Sequence, residues 1–299
     1  MANSAVSNTH KPAWRNPTFP WPAPAKLNLF LHITGRREDG YHLLQTLFHF
    51  IDISDTLYFE ITDDKNISIS PAIEGIPDEE NIIVKAARLL QKTTGTNKGT
   101  KISLKKCLPM GGGLGGGSSD AATTLLALNK LWDLNLEKSV LMSLGLSLGA
   151  DVPIFIYGQT AWAEGVGETL TNLPHEQISQ KNWYLILFPK INVNTGAIFA
   201  SSELTRDKLP IKIRDFLNGT TENVFEPVVA EQYPEIREAL NWLKPFSDAK
   251  LTGTGACIFA NFKTEQEARE VAAQTPDKWQ AFVAQGCFTT PIEALYQSE

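Results

Sequence analysis

Six glycines and two serines crowd the stretch Pro109-Met110-Gly111-Gly112-Gly113-Leu114-Gly115-Gly116-Gly117-Ser118-Ser119-Asp120. Glycine admits positive φ and lets another group come close. Successive backbone N–H groups in such a loop form an anion-binding nest. A helix after the loop adds unpaired N–H groups and the positive end of its dipole. One does follow, with Ala121, Ala122, Leu125, Leu126, Leu128 and Trp132 at its apolar positions. Ser118 or Ser119 is placed to cap it or to give a hydroxyl to a phosphate. The chemistry is that of a phosphate cradle. A linker would need polar, low-complexity flanks, which the strand-like run from Lys101 to Leu108 does not supply. The Walker pattern fails because Ser118, not lysine, follows Gly117. Gly111, Gly113 and Gly116 meet G-x-G-x-x-G, but Asp133, at the required spacing, ends a helix rather than a strand.

Other groups with chemical capacity lie far from that loop in sequence. From Ala25 to Ile33 apolar and polar residues alternate, which predicts a half-buried strand. Lys26 and Asn28 then share a face, about 6.5 Å apart along the strand. By itself that face is equally well a wet one. Asp151 stands at the junction Gly149-Ala150-Asp151-Val152-Pro153, where it is either a turn residue or a functional carboxylate. Tyr41 reads as core packing, His42 as a strand-end surface residue, and Asn81 as a polar residue at a helix start.

Composition narrows the class. Of 299 residues, 42% are hydrophobic and 20% charged, the profile of a globular protein large enough for two domains. A net charge of −6 weighs against a nucleic-acid partner. Cys107, Cys257 and Cys287 are far apart and odd in number, so neither zinc nor a disulfide framework is indicated, and a cytoplasmic protein is expected. No apolar run is long enough for a bilayer. Residues 1–20 lack a signal-peptide core and are expected to be a loosely ordered extension.

The elements that must position these groups follow from pattern. Strands are expected at Thr56 to Ile61, Asn66 to Ser70, Lys101 to Cys107, Asp151 to Ile156, Ala161 to Gly167, Asn182 to Phe188 and Cys287 to Thr290. Helices are expected after Pro77, with Asp78 as N-cap, and at Glu137 to Leu148, Thr195 to Phe199, Asn223 to Glu231, Pro234 to Trp242 and Thr264 to Gln274. Leu251 to Phe259 reads as strand, glycine turn and strand.

Four segments carry a resemblance. Pro109 through Ala122 is similar to the second motif of the GHMP kinases, with two more glycines before the serines than is usual. Leu251-Thr252-Gly253-Thr254-Gly255-Ala256 resembles the third motif. Pro24-Ala25-Lys26-Leu27-Asn28-Leu29 resembles the first motif of the branch that acts on 4-diphosphocytidyl-2-C-methyl-D-erythritol in non-mevalonate isoprenoid synthesis, and Asp39-Gly40-Tyr41-His42 fits that branch too.

The resemblance implies a two-domain α+β GHMP kinase fold. Its N-terminal ATP domain, over 21–178, would be like domain 2 of ribosomal protein S5, and its C-terminal substrate domain, over 179–299, ferredoxin-like. It implies transfer of the γ-phosphoryl of ATP to a substrate hydroxyl, with Mg²⁺ whose ligands are undefined. Asp151 would be general base with Lys26 beside it. Asn81, Lys106 and the run Pro109, Met110, Gly111, Gly112, Gly113, Leu114, Gly115, Gly116, Gly117, Ser118 and Ser119 would bind ATP. Asn28, Tyr41, His42, Asp151, Thr195, Phe199, Gly253 and Thr254 would bind the substrate, with Tyr41 and Phe199 on the two faces of cytosine and His42 at its edge. A GHMP kinase for homoserine or mevalonate is the nearest alternative. A nucleotide-binding protein without catalysis is the other.

Overall fold

The computed structural model describes residues 12–173, 182–219 and 221–297. β1 (Trp21–Arg36) and β2 (His42–Thr62) are a long antiparallel pair. β3 (Ile67–Ser70), α1 (Ile82–Thr94) and β4 (Gly99–Lys105) follow, and β4 pairs antiparallel with β2 and parallel with β3. Next come α2 (Gly116–Leu131), α3 (Lys138–Leu148), α4 (Val152–Tyr157), β5 (Ala161–Glu164) and β6 (Thr169–Asn172). The second half holds β7 (Trp183–Phe188), α5 (Thr195–Ala200), α6 (Ile213–Leu217), α7 (Glu226–Gln232) and α8 (Pro234–Leu243). It ends with β8 (Lys250–Leu251), β9 (Ile258–Phe262), α9 (Glu265–Ala272), β10 (Gln280–Cys287) and α10 (Pro291–Gln297).

The mixed sheet runs β3-β4-β2-β10-β7-β9-β8, with β1 and the β5–β6 hairpin also on β2. β10 is the joint. It pairs with β7 from Gln280 to Gln285, then with β2 at Gly286 and Cys287. One core packs α1, α2 and α4 on the first strands through Leu90, Leu125, Phe155, Phe50 and Phe59. A second gathers Leu185, Phe225, Ile236, Leu240 and Ile258. Leu27, Ile51, Leu114, Ile186 and Cys257 join the two.

Several expectations change. β1 is buried on both faces, because helices cover one side and the second half of the chain the other; a register shift between Asn28 and Leu31 also breaks its alternation. Val152 to Tyr157 is helical, not a strand. Short apolar runs do not reveal their period, and here Pro153 sits in the first turn while Gly158, at φ 77°, closes the helix. The N-cap of α1 is Asn81, whose Oδ1 accepts from Ile83 N–H at 2.9 Å; Asp78 lies one turn too early. The last strand begins earlier than expected, and α10 follows it. Residues 12–20 are not loose: Trp14 and Phe19 pack on the first core and Arg15 pairs with Asp133. Residues 1–11 and the expected domain boundary at 178 lie outside the described residues.

Candidate active site

The glycine loop leaves the end of β4 and turns into α2 at Gly115. That residue is the N-cap, at φ 74°, and no side chain caps the helix. The serines expected to do so lie within the first turn, where Ser119 N–H donates to Gly115 O at 2.8 Å. With a glycine cap the foremost N–H groups of α2 stay open to an anion. The second half of the chain clamps the loop: Ala256 N–H donates to Gly111 O at 3.1 Å and Cys257 N–H to Gly112 O at 2.9 Å. A Cβ on Gly113 would stand 2.3 Å from Thr252 O, so only glycine permits that approach.

Lys26 is only 2% exposed, and its stem carries the ammonium into the same place. Nζ lies 2.7 Å from Asn28 Oδ1, 3.0 Å from Gly113 O and 3.3 Å from Asp151 Oδ2. Asn28 is held in turn, its Nδ2 donating to Thr46 Oγ1 at 3.0 Å and its backbone N–H to Thr252 Oγ1 at 3.0 Å. Asp151 occupies the N-cap position of α4, yet its side chain caps nothing and is 38% exposed. A carboxylate beside an ammonium, open to a cleft, is equipped to take a proton.

A cavity of about 680 Å³ brings these groups together. Lys26, Asn28, Asn81, Lys106, Pro109 through Ser118, Asp151, Thr195, Phe199, Gly253 and Thr254 all line it. Asn81 caps α1 and also faces the cavity, with its buried Nδ2 unpartnered among the described residues. Lys106 Nζ is 2.5 Å from Asp55 Oδ2 and 2.9 Å from Asp120 Oδ2. Burial works against the charge on Lys106, but the carboxylates of Asp120 and Asp55 hold its pKa above the usual lysine value. Burial pushes Asp120 up to about 7 against the pull of Lys106, with Asp55 adding to the rise.

Ser119, Tyr41 and His42 are not on the cavity wall. Ser119 is buried beneath it, whereas Tyr41 is 64% exposed on the turn before β2. His42, rather than Tyr41, lies against Phe199, at 5.0 Å between ring centroids and 33° between planes. Arg206 holds this corner. Its Nη2 donates to Phe199 O and Ser201 O, each at 2.7 Å, and its Nε to His42 Nε2 at 3.3 Å. A guanidinium only donates, so His42 Nε2 is the acceptor. Burial, then the charges of Arg206 and Arg36, hold His42 below the usual histidine pKa. Thr195 and Thr254 meet through their hydroxyls at 3.0 Å.

Sequence reasoning missed Asp55, Asp120, Thr46, Thr252 and Arg206. Asp120 stood inside the glycine motif and Thr252 inside the segment like the third motif, and both were legible there; Asp55, Thr46 and Arg206 carry no local pattern. Among the described residues no three His, Cys, Asp or Glu side chains stand together to hold a metal ion. Two buried oxygens at the start of α2, Ser119 Oγ and Asp120 Oδ1, lack a hydrogen-bond partner there. Of the two residues only Asp120 lines the cavity, and its carboxylate suits a hard cation that keeps most of its ligands as water or phosphate, as Mg²⁺ does.

Two family models match, GHMP kinases N terminal domain over residues 81–159 and GHMP kinases C terminal over 205–281. The chain is 50% identical over 289 residues to the 4-diphosphocytidyl-2-C-methyl-D-erythritol kinase of Hahella chejuensis, covering 93% of this chain and 96% of that one. It is 54% identical over 267 residues to the kinase of the same name from Nitrosococcus oceani, covering 89% and 94%. A crystal structure of 4-(cytidine 5'-diphospho)-2C-methyl-D-erythritol kinase superposes with TM-score 0.77 at 30% identity, over 90% of this chain and 99% of that one. Methanococcus jannaschii mevalonate kinase, at 17% identity and TM-score 0.66 over 89% and 98% of the two chains, shares the fold. The chain belongs to the GHMP kinase family and, within it, to the branch of those 4-diphosphocytidyl-2-C-methyl-D-erythritol kinases. It is a small-molecule kinase that uses ATP.

Proposed function

We propose that this chain transfers the γ-phosphoryl group of ATP to the 2-hydroxyl of 4-diphosphocytidyl-2-C-methyl-D-erythritol in the cytoplasm. The observation that carries the reading is the Lys26–Asp151 pair, 3.3 Å apart on the wall of the cavity that the open end of α2 also faces. A base and a phosphate cradle share one space. Phosphoryl transfer asks for positioning and charge neutralisation more than covalent chemistry.

The loop N–H groups and Lys106 bind the ATP phosphates. Asp151 takes the proton of the 2-hydroxyl as that oxygen bonds to the γ-phosphorus. The bond from the γ-phosphorus to its bridging oxygen breaks, and ADP leaves. Lys26 lies within reach of the charge that gathers on the equatorial oxygens. Asp120, which lines the cavity, would hold Mg²⁺, which supplies charge neutralisation on the phosphates when bound. Phe199, with His42 against it and Arg206 behind, provides an aromatic surface for the cytosine.

The test is ADP release with the diphosphocytidyl substrate, its diphosphouridyl analogue, homoserine and mevalonate. A stacking surface accepts either pyrimidine, so discrimination comes from hydrogen bonds at the base edge, at about 1–3 kcal/mol for a mismatched buried group. The uridine analogue is expected to lose at least about tenfold in kcat/KM, since ~1.4 kcal/mol is one decade. Turnover of homoserine or mevalonate in preference to the cytidine substrate would overturn the assignment.

A further inference from the structure

Asp55 takes no part in the chemistry above, yet it is fully buried on β2 beside the phosphate loop. Both its oxygens serve one short stretch of chain. Oδ1 accepts from Cys107 N–H at 2.6 Å and Leu108 N–H at 2.8 Å, while Oδ2 accepts from Lys106 Nζ at 2.5 Å. The ammonium so held lies 3.3 Å from where a Cβ on Gly116 would stand, under the first turn of α2. A free lysine stem samples many rotamers and offers its charge at many points. Here two charge-assisted bonds, the shorter to Asp55 and a second to Asp120 at 2.9 Å, fix one point on the cavity wall. The Asp55 carboxylate also fixes the backbone just ahead of Pro109, and so the direction in which the loop sets out.

We propose that Asp55 is a positioning residue for nucleotide binding, acting through Lys106 and the Cys107–Leu108 backbone to hold a fixed cation beneath the phosphate loop. The proposal rests on the reading of the cavity as the ATP site.

Asp55→Asn separates the two roles. Its carbonyl oxygen still accepts from the two backbone N–H groups, but its amide N–H₂ faces the ammonium, donor against donor. KM for ATP is expected to rise about tenfold or more, with kcat and the KM of the alcohol substrate held within about threefold. Lys106→Met should raise KM for ATP by a similar factor. The double variant should be no worse than the poorer single one, because both act on one contact. A smaller rise in KM for ATP, a fall in kcat alone, or effects that multiply in the double variant would each overturn the proposal. Should Asp55→Asn not fold, Asp55→Glu, which displaces the carboxylate by one methylene, is read in the same way. Calorimetry keeps the two readings apart. No ATP binding by the unaltered protein sinks the ATP site itself, whereas equal affinity in the unaltered and Asp55→Asn proteins sinks only the role of Asp55.

Discussion

Asp151 can lose its charge without disturbing the helix it begins, since its side chain makes no capping bond. Asp151→Asn is therefore expected to keep the melting temperature and the ATP affinity while kcat falls by about 10²–10⁴, the usual cost of a lost general base. Near-normal kcat would return Asp151 to the rank of a turn residue. From the residue pattern alone those two roles could not be told apart; only the resemblance pointed to the base. The structure adds that Lys26 reaches the carboxylate from a distant strand and that, among the described residues, no helix N–H is capped by it. Arg206 was invisible for the opposite reason: its partners His42, Phe199 and Ser201 come together only through the fold.

At the scale of elements, the loop and α2 separate two kinds of glycine. A Cβ on Gly115 would stand 2.7 Å from Phe155 Cζ, on a backbone at φ 74°. Gly115→Val is thus expected to cost stability as well as nucleotide affinity, the first through Phe155 and the second through a misplaced helix start. Gly117 has only Ile82 Cγ2, at 3.9 Å, near its absent Cβ. Gly117→Ala should leave the unliganded protein as stable or up to about 1 kcal/mol more so, while weakening ATP binding if phosphates pass close to the loop. Thermal unfolding with and without ATP separates the effects, and an unchanged ligand-induced shift would show that nothing approaches Gly117. Element types were legible wherever periodicity ran long, as in α2, α3, α8 and α9. They failed at Val152 to Tyr157, six residues too short to show a period. They failed again at Asp78, because acids near a helix start are common and only the geometry at Asn81 picks the cap.

For the molecule as a whole, the seam between the halves is the sensitive region. His49 lies there on β2, fully buried, with Nδ1 3.0 Å from Thr160 Oγ1 and the β10 backbone at Gly286 packed onto its ring. Burial lowers its pKa to about 4 from 6.5. The unfolded chain takes up this proton first, so stability is fully present above pH 6.5 and drains away as pH falls toward 4, by roughly 3 kcal/mol. Denaturant unfolding at a series of pH values should show that slope, flattened in His49→Gln. An equal slope in both proteins would place the acid sensitivity elsewhere. The joint at β10 also bears on how the protein is made. Its pairing with β2 at Phe50 and Ile51 uses Gly286 and Cys287, and Ile292 of α10 completes the first core. During synthesis the early half must therefore wait, with that strand edge open and an apolar surface uncovered, until β10 and α10 have cleared the ribosome. An open strand edge of this kind invites pairing with other chains, so the nascent protein is most exposed to aggregation in the interval before β10 and α10 emerge.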